Sequence, residues 1–391
     1  MNVDTTLTFH PLTLVPEGPD VIVGRPDIDR YVVFPPDGAE LLRQLQRGCV
    51  TIEAERWYQQ QYGEPVDMAD FLATLRDLEF IRRPEDETPV DGRTAVASAG
   101  QWLGRAVFSP IAWTCYVALC GYALLLLLRT PGLRPHHASL FWSPSLVLTQ
   151  AGVMLGQLPC IFLHEAMHVL AGRRLGVRTR IGVGNRLHML VFETHLDGLW
   201  GVPRSARYLP LLAGMLGDAL CFAALTVLAD VAGPAAFPGN LLLALAYTTL
   251  LRVAWQFYLF LETDVYYVFA TAFGCVNLHR TVREYLANRI RRLARRPARW
   301  DEQRWHPRDR RVVRWYAVLF VAGYTLTIGV VVLVAVPVVA RVSAEIATRL
   351  ATRSAFDPRF LDACLILAMN LTPVVIVAVM TLRRRLRGRT E

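Results

Sequence analysis

A chain of 391 residues that is 53% hydrophobic, with a mean hydropathy of +0.30, is too apolar on average to be an ordinary soluble protein of its length. Its formal charge of +9 comes from 42 basic residues, all of them arginine, set against 33 acidic ones. The arginines cluster beside apolar blocks, the pattern that sets membrane topology, so nucleic acid is not expected as a partner.

At the start of the chain, Met1 to Leu14 has no basic region followed by an apolar run, so no cleavable signal is expected and the N-terminus is placed in the cytoplasm. Residues 9–14, 19–24 and 30–34 read as short strands. Helical patterns follow over Gly38–Gln46, Ile52–Gln60 and Asp67–Leu78, the last with Met68, Phe71, Leu72 and Leu75 on one face. Together they predict a small α+β, winged-helix-like domain over residues 1–88. Residues 89–104 are polar and contain Gly, which predicts a linker.

From 105 to 391 the pattern is that of an α-helical polytopic membrane domain. Stretches near 107–128, 143–172, 208–232, 239–261, 315–340 and 360–382 each reach the ~20 apolar residues that span a bilayer, so six membrane helices are expected. Cys115, Cys120, Cys160, Cys221 and Cys364 fall within these spans with no C-x-x-C spacing, as free thiols would. With the N-terminus inside, the arginine-rich stretches 173–207 and 262–314 lie in the cytoplasm, and so does the C-terminus with Arg383, Arg384, Arg385, Arg387 and Arg389. The opposite loop at 231–239 has no basic residue and 129–142 has only Arg129 and Arg134. The last outer loop fits less cleanly, since it carries Arg341, Arg349, Arg353 and Arg359.

The chemistry is concentrated in the second span. His164 and His168 are i and i+4 on one helix face, the spacing at which two imidazoles reach a single zinc ion, and Glu165 beside them can take a proton from water. Three ionisable groups within five residues at the end of an apolar span are costly at membrane depth, which makes them a functional signal by default. A hydrolytic zinc site needs a third protein ligand. Asp264, at the cytoplasmic end of the fourth span, matches in depth; Glu262 is the rival, and His188 and His195 are weaker candidates.

The His164-Glu165-x-x-His168 helix together with Gln256-Phe257-Tyr258-Leu259-Phe260-Leu261-Glu262-Thr263-Asp264 resembles the site-2 protease family of intramembrane zinc metalloproteases. Val265-Tyr266-Tyr267 and the later Asn277-Leu278 are similar to a bacterial subgroup found beside peptide-modification genes. Gln256 stands for the family's usual Asn and Val265 for its usual Gly. Leu211–Asp218 resembles the family's Ala-Gly-Pro-x-x-Asn signature, with Met215 for Pro and Asp218 for Asn, which implies that Asp218 and Gln256 line the substrate site. Strand-like segments at 176–180 and 187–193 resemble the family's membrane-edge sheet, whose exposed edge would hold an unwound substrate.

Asp29 to Arg82 in turn resembles the PqqD-like peptide-recognition domains of ribosomal-peptide biosynthesis, through Ala39-Glu40-Leu41-Leu42-Arg43-Gln44-Leu45, Gly48, Trp57, Tyr62, Phe71-Leu72 and Leu78-Glu79-Phe80-Ile81. Such a domain would bind a peptide by strand addition at Tyr31, Val32 and Val33, with the Met68, Phe71, Leu72 and Leu75 face holding its side chains. The two resemblances imply metal-assisted peptide hydrolysis with Zn2+ on His164, His168 and Asp264 and with Glu165 as base and acid. The expected role is leader removal from a precursor peptide by a multi-pass membrane enzyme. The alternatives are regulated intramembrane proteolysis of a membrane-held regulator and a non-catalytic metal-binding export or immunity component.

Overall fold

A computed structural model describes residues 6–83, 93–186, 189–330 and 358–387, with isolated positions between 332 and 351. His188 and the arginines Arg341, Arg349, Arg353 and Arg389 lie outside the described residues. So do the start of the expected linker and parts of the expected span at 315–340.

The N-terminal domain is built on an antiparallel meander of β1 (Thr13–Glu17), β2 (Asp20–Arg25) and β3 (Arg30–Phe34), in that order. The register sets Leu14 opposite Val23 and Val23 opposite Val32, so the two-residue period sends these, with Val21 and Phe34, to one face. There they pack on α1 (Pro36–Gln46), α2 (Thr51–Tyr62) and α3 (Met68–Asp77) around Leu41, Leu42, Leu45 and Leu75. The first strand begins at Thr13 instead of residue 9, and Phe9 makes a single bridge to Ile81. Met68, Leu72 and Leu75 are buried in this core and Phe71 meets Phe34 edge-to-face. The helix face expected to hold an incoming peptide is therefore filled by the domain itself.

The other face of the sheet docks on the membrane domain. Val15 and Ile22 are buried although they point away from the α1–α3 core. Tyr31, on the same face, reaches the 3-10 turn Leu199–Gly201, and Gly198 N donates to Asp29 Oδ1 at 2.7 Å. Glu17 pairs with Arg207 at 3.0 Å and Asp20 with Arg308 at 2.9 Å. Tyr31 is thus a junction residue and Val32 packs against the core, while the outer edge of β3 has no strand partner among the described residues.

In the membrane domain, α5 (Pro110–Arg129), α6 (Leu146–Arg174), α7 (Arg204–Ala232) and α11 (Pro307–Val330) contain the four helices that, among the described residues, are long and apolar enough to cross a membrane. The apolar stretch of α7 is 56% buried within the protein and that of α5 only 6%, so α7 is the central helix and α5 turns its apolar surface outward. The expected fourth span is shorter: α8 (Gly239–Trp255) stops after 17 residues. The apolar continuation is a 3-10 turn, Leu259–Leu261, followed by Glu262 in the left-handed region at φ 54°. Six full spans are not what the described residues give.

The segment 262–314, expected as a loop, contains α9 (Asp264–Phe273) and α10 (Leu278–Leu293), which pack with the start of α11 around Tyr266, Val282 and Tyr316. Most of the expected linker is also helical, as α4 (Arg93–Val107). Gln101 donates to the carbonyl of Arg174, which seats α4 against the end of α6.

The last helix, α12 (Pro358–Arg387), has a structural role that its sequence does not announce. The Asp362 carboxylate accepts from Ser145 Oγ at 2.5 Å and from the amides of Leu146 and Val147, capping the N-terminus of α6. Two turns on, the amides of Asn370 and Gln150 exchange hydrogen bonds.

Candidate metal centre

The site is assembled on α6, α7 and the N-terminus of α9. Ser145 and Asp362 fix the start of α6, and its helical period then brings His164 and His168 to one face, both buried. Each ring is held from behind through its Nδ1. That of His168 donates to the carbonyl of Pro210 at 2.7 Å, and because a carbonyl can only accept, the proton of the ring is on Nδ1. That of His164 lies 3.0 Å from Asp218 Oδ2.

Both Nε2 atoms are thereby left with lone pairs. They stand 3.2 Å apart, and each is 3.2 Å from Oδ2 of Asp264. Three electron-rich atoms gathered this closely repel one another unless a cation lies between them. Two imidazole nitrogens and a carboxylate oxygen, all within 4.8 Å of one another, form a donor set that suits a divalent metal such as zinc. Space for the ion depends on Gly214. A Cβ at this position of α7 would come within 2.5 Å of His164 Nε2 and closer still to that of His168. Glycine in mid-helix is unfavourable by about 1 kcal/mol relative to alanine, and here the missing side chain keeps the two Nε2 atoms uncovered.

Asp264 comes to the histidines by a route other than the end of a long span. It is the first residue of α9, and its amide donates to the side-chain oxygen of Gln256 at 3.2 Å. Thr263 Oγ1 donates to the carbonyl of Gln256 at 2.5 Å, closing the turn between α8 and α9. Gln256 is buried, and its side-chain oxygen holds the backbone of the acidic residue. Glu262 is not part of the cluster: its carboxylate lies 3.5 Å from His279 Nδ1 and its side chain is 45% exposed.

Asp218 is fully buried and both of its oxygens are engaged. Oδ2 faces His164, while Oδ1 takes Arg252 Nη2 at 2.5 Å and Nε at 3.0 Å. Arg252 in turn donates to Gln157 at 2.8 Å, and Gln157 is anchored on Thr248 and the Leu245 carbonyl. Asp218 therefore stands behind the His164 ring, and a carboxylate in that place fixes ring orientation and raises the basicity of the far nitrogen. Sequence reasoning missed Arg252 and Gln157. The available signal was a charge inside an apolar span, which nearly always has a named partner.

Glu165, the next residue after His164, is buried and accepts from Thr194 Oγ1 at 2.7 Å. Thr194 lies on the hairpin β4 (Arg178–Arg186) and β5 (Met189–Asp197), which is longer than the two expected strands. The hairpin lies close along α6 because a Cβ on Gly172 would collide with Thr179. Thr194 was not foreseen from sequence, since it meets Glu165 from 29 positions further along the chain. The side chain of His195 lies outside the described residues. Comparison with protein-family models, with curated proteins and with solved structures finds no match for this chain.

Proposed function

We propose that this chain is a membrane-embedded zinc metallopeptidase whose metal is held by His164, His168 and Asp264. The carrying observation is the convergence of two imidazole Nε2 atoms and one carboxylate oxygen at mutual separations of 3.2 Å, with Glu165 next in sequence. Bound there, zinc would supply the Lewis acidity that peptide hydrolysis needs at neutral pH. Glu165 takes the proton from the attacking water and returns it to the departing amine, with Thr194 holding its carboxylate in one orientation. Asp218 and the Pro210 carbonyl keep the two rings from turning. A purely metal-storing protein has no use for Glu165.

The ligand set is tested by metal analysis of the purified protein. One zinc per chain is expected in the wild type and in Glu262→Ala, with loss in Asp264→Ala and Gly214→Ala. Full retention in Asp264→Ala would move the third ligand elsewhere.

The substrate class we infer is a membrane-associated or precursor peptide, with leader removal in ribosomal-peptide biosynthesis as the preferred role. The outer edge of β3 supports this reading, because Val33 and its neighbours offer backbone groups that can pair with an extended leader. The orientation we infer is multi-pass with both termini and the arginine-rich stretch from Arg280 to Arg314 in the cytoplasm. An Arg291→Cys variant in intact cells should resist a membrane-impermeant thiol reagent added outside; labelling from outside would reverse the orientation.

A further inference from the structure

We propose that α10 and α11 form a binding site for one anionic phospholipid, independent of the metal centre. A groove of about 740 Å³ runs between them, within the size range of ligand sites. On α11 its lining follows a single helical stripe from Arg314 through Val318 and Val321 to Leu326, and α10 closes the side with Tyr285 and Leu286. Apart from Arg314 at one end, the lining carries no charge among the described residues.

Length and charge together identify the occupant. From Arg314 to Leu326 the stripe is about 18 Å long at 1.5 Å per residue. One leaflet of a bilayer has a hydrocarbon depth of about 15 Å, so the groove accommodates one acyl chain from interface to midplane. Arg314 sits at the interface itself. Before it α11 carries Arg308, Arg310 and Arg311, and after it comes the exposed Trp315, a residue type that collects at headgroup level. Arg314 has neither an ion pair nor a hydrogen bond among the described residues, so its guanidinium is available to a phosphate.

The surface of α10 continues the pattern. Ile290 is 65% and Leu293 86% exposed, extending the apolar line of Leu286, and Arg289 and Arg292 flank them. An amphipathic helix with apolar residues facing outward between arginines lies in the headgroup region of an anionic membrane. The Arg289 guanidinium lies over the ring of Tyr285, one of the groove's lining side chains, at 5.3 Å.

The experiment is native mass spectrometry of the full-length protein extracted from nanodiscs containing equal phosphatidylglycerol and phosphatidylcholine. One phosphatidylglycerol per chain should be retained, at least fivefold over phosphatidylcholine. Arg314→Gln should abolish that preference and Val321→Trp should lower total retention, whereas Arg296→Gln, beyond the end of α10, should change neither. Melting temperature in lipid-free detergent shows whether each variant is folded, and phosphatidylglycerol should raise it for the wild type but not for Arg314→Gln. Equal retention of the two lipids, an unchanged preference in Arg314→Gln, or full displacement by inorganic phosphate would overturn the proposal. So would a dimer that retains no lipid and is lost in Val321→Trp, which would give the groove to a second copy of the chain.

Discussion

Glu165→Gln is expected to leave zinc content unchanged and to lower peptide cleavage by ~100-fold or more, the loss typical of a removed general base. Gln has the shape of Glu and keeps an oxygen that can accept from Thr194, so the local packing survives. None of the three metal-binding atoms belongs to it. What disappears is the ability to take a proton from water and hand it to the amine. The measurement pairs metal analysis with mass-spectrometric detection of a cleaved precursor in the same nanodisc preparation. Near-normal turnover would take Glu165 out of the mechanism. Loss of zinc together with activity would instead mean that the variant damaged the site. The same assay separates the two proteolytic roles, because a precursor lacking its leader should be cut at least ~10-fold more slowly if binding at a distance raises its effective concentration. Equal rates with and without leader would favour regulated intramembrane proteolysis.

The histidine pair was legible because an i, i+4 spacing fixes geometry within one helix and needs nothing from the rest of the fold. Asp264 was legible by depth, although the argument for it assumed a continuous span to residue 261. That span ends at Trp255 because a turn held by Gln256 and Thr263 is hidden inside an apolar run, where hydropathy sees no break. The helical period of Met68, Phe71, Leu72 and Leu75 was likewise readable, but periodicity identifies an apolar face without saying what covers it. The helix within the expected linker was missed for a related reason. Composition placed α4 among loops, while its contact with α6 depends on a close approach that only the folded chain reveals: a Cβ on Gly104 would lie 2.4 Å from the Leu170 carbonyl. The supporting residues of the site, Asp218 with Arg252 and Glu165 with Thr194, are tertiary pairs separated by 34 and 29 residues. No local pattern encodes them.

Glu17→Ala is expected to loosen the N-terminal domain and, through it, the metal site. Arg207 is 1% exposed and Glu17 5%, with 3.0 Å between Nη2 and Oε2. Nε donates to the carbonyl of Val202, Nη2 also reaches that of Trp200, and the guanidinium lies over the Trp200 ring. Removing one partner of a buried pair leaves an uncompensated charge, which costs ~3–5 kcal/mol. Arg204 also pairs with the Glu17 carboxylate, so the alanine variant leaves two cations around an empty position, while Arg308 keeps its bond to the Glu17 backbone carbonyl. The effect should travel because Arg207 lies in the first turn of α7, three residues before Pro210, whose carbonyl orients His168. The expected result is faster hydrogen exchange over 198–207 and on the outward face of the β1–β3 sheet, a lower melting temperature, and faster zinc loss to a chelator. Glu17→Gln combined with Arg207→Met removes both charges and should recover part of the stability. Unchanged exchange and unchanged zinc retention in Glu17→Ala would mean that the domain is a passenger. In that case cleavage should persist after its deletion, and peptide selection would have to reside in the β4–β5 hairpin beside Glu165.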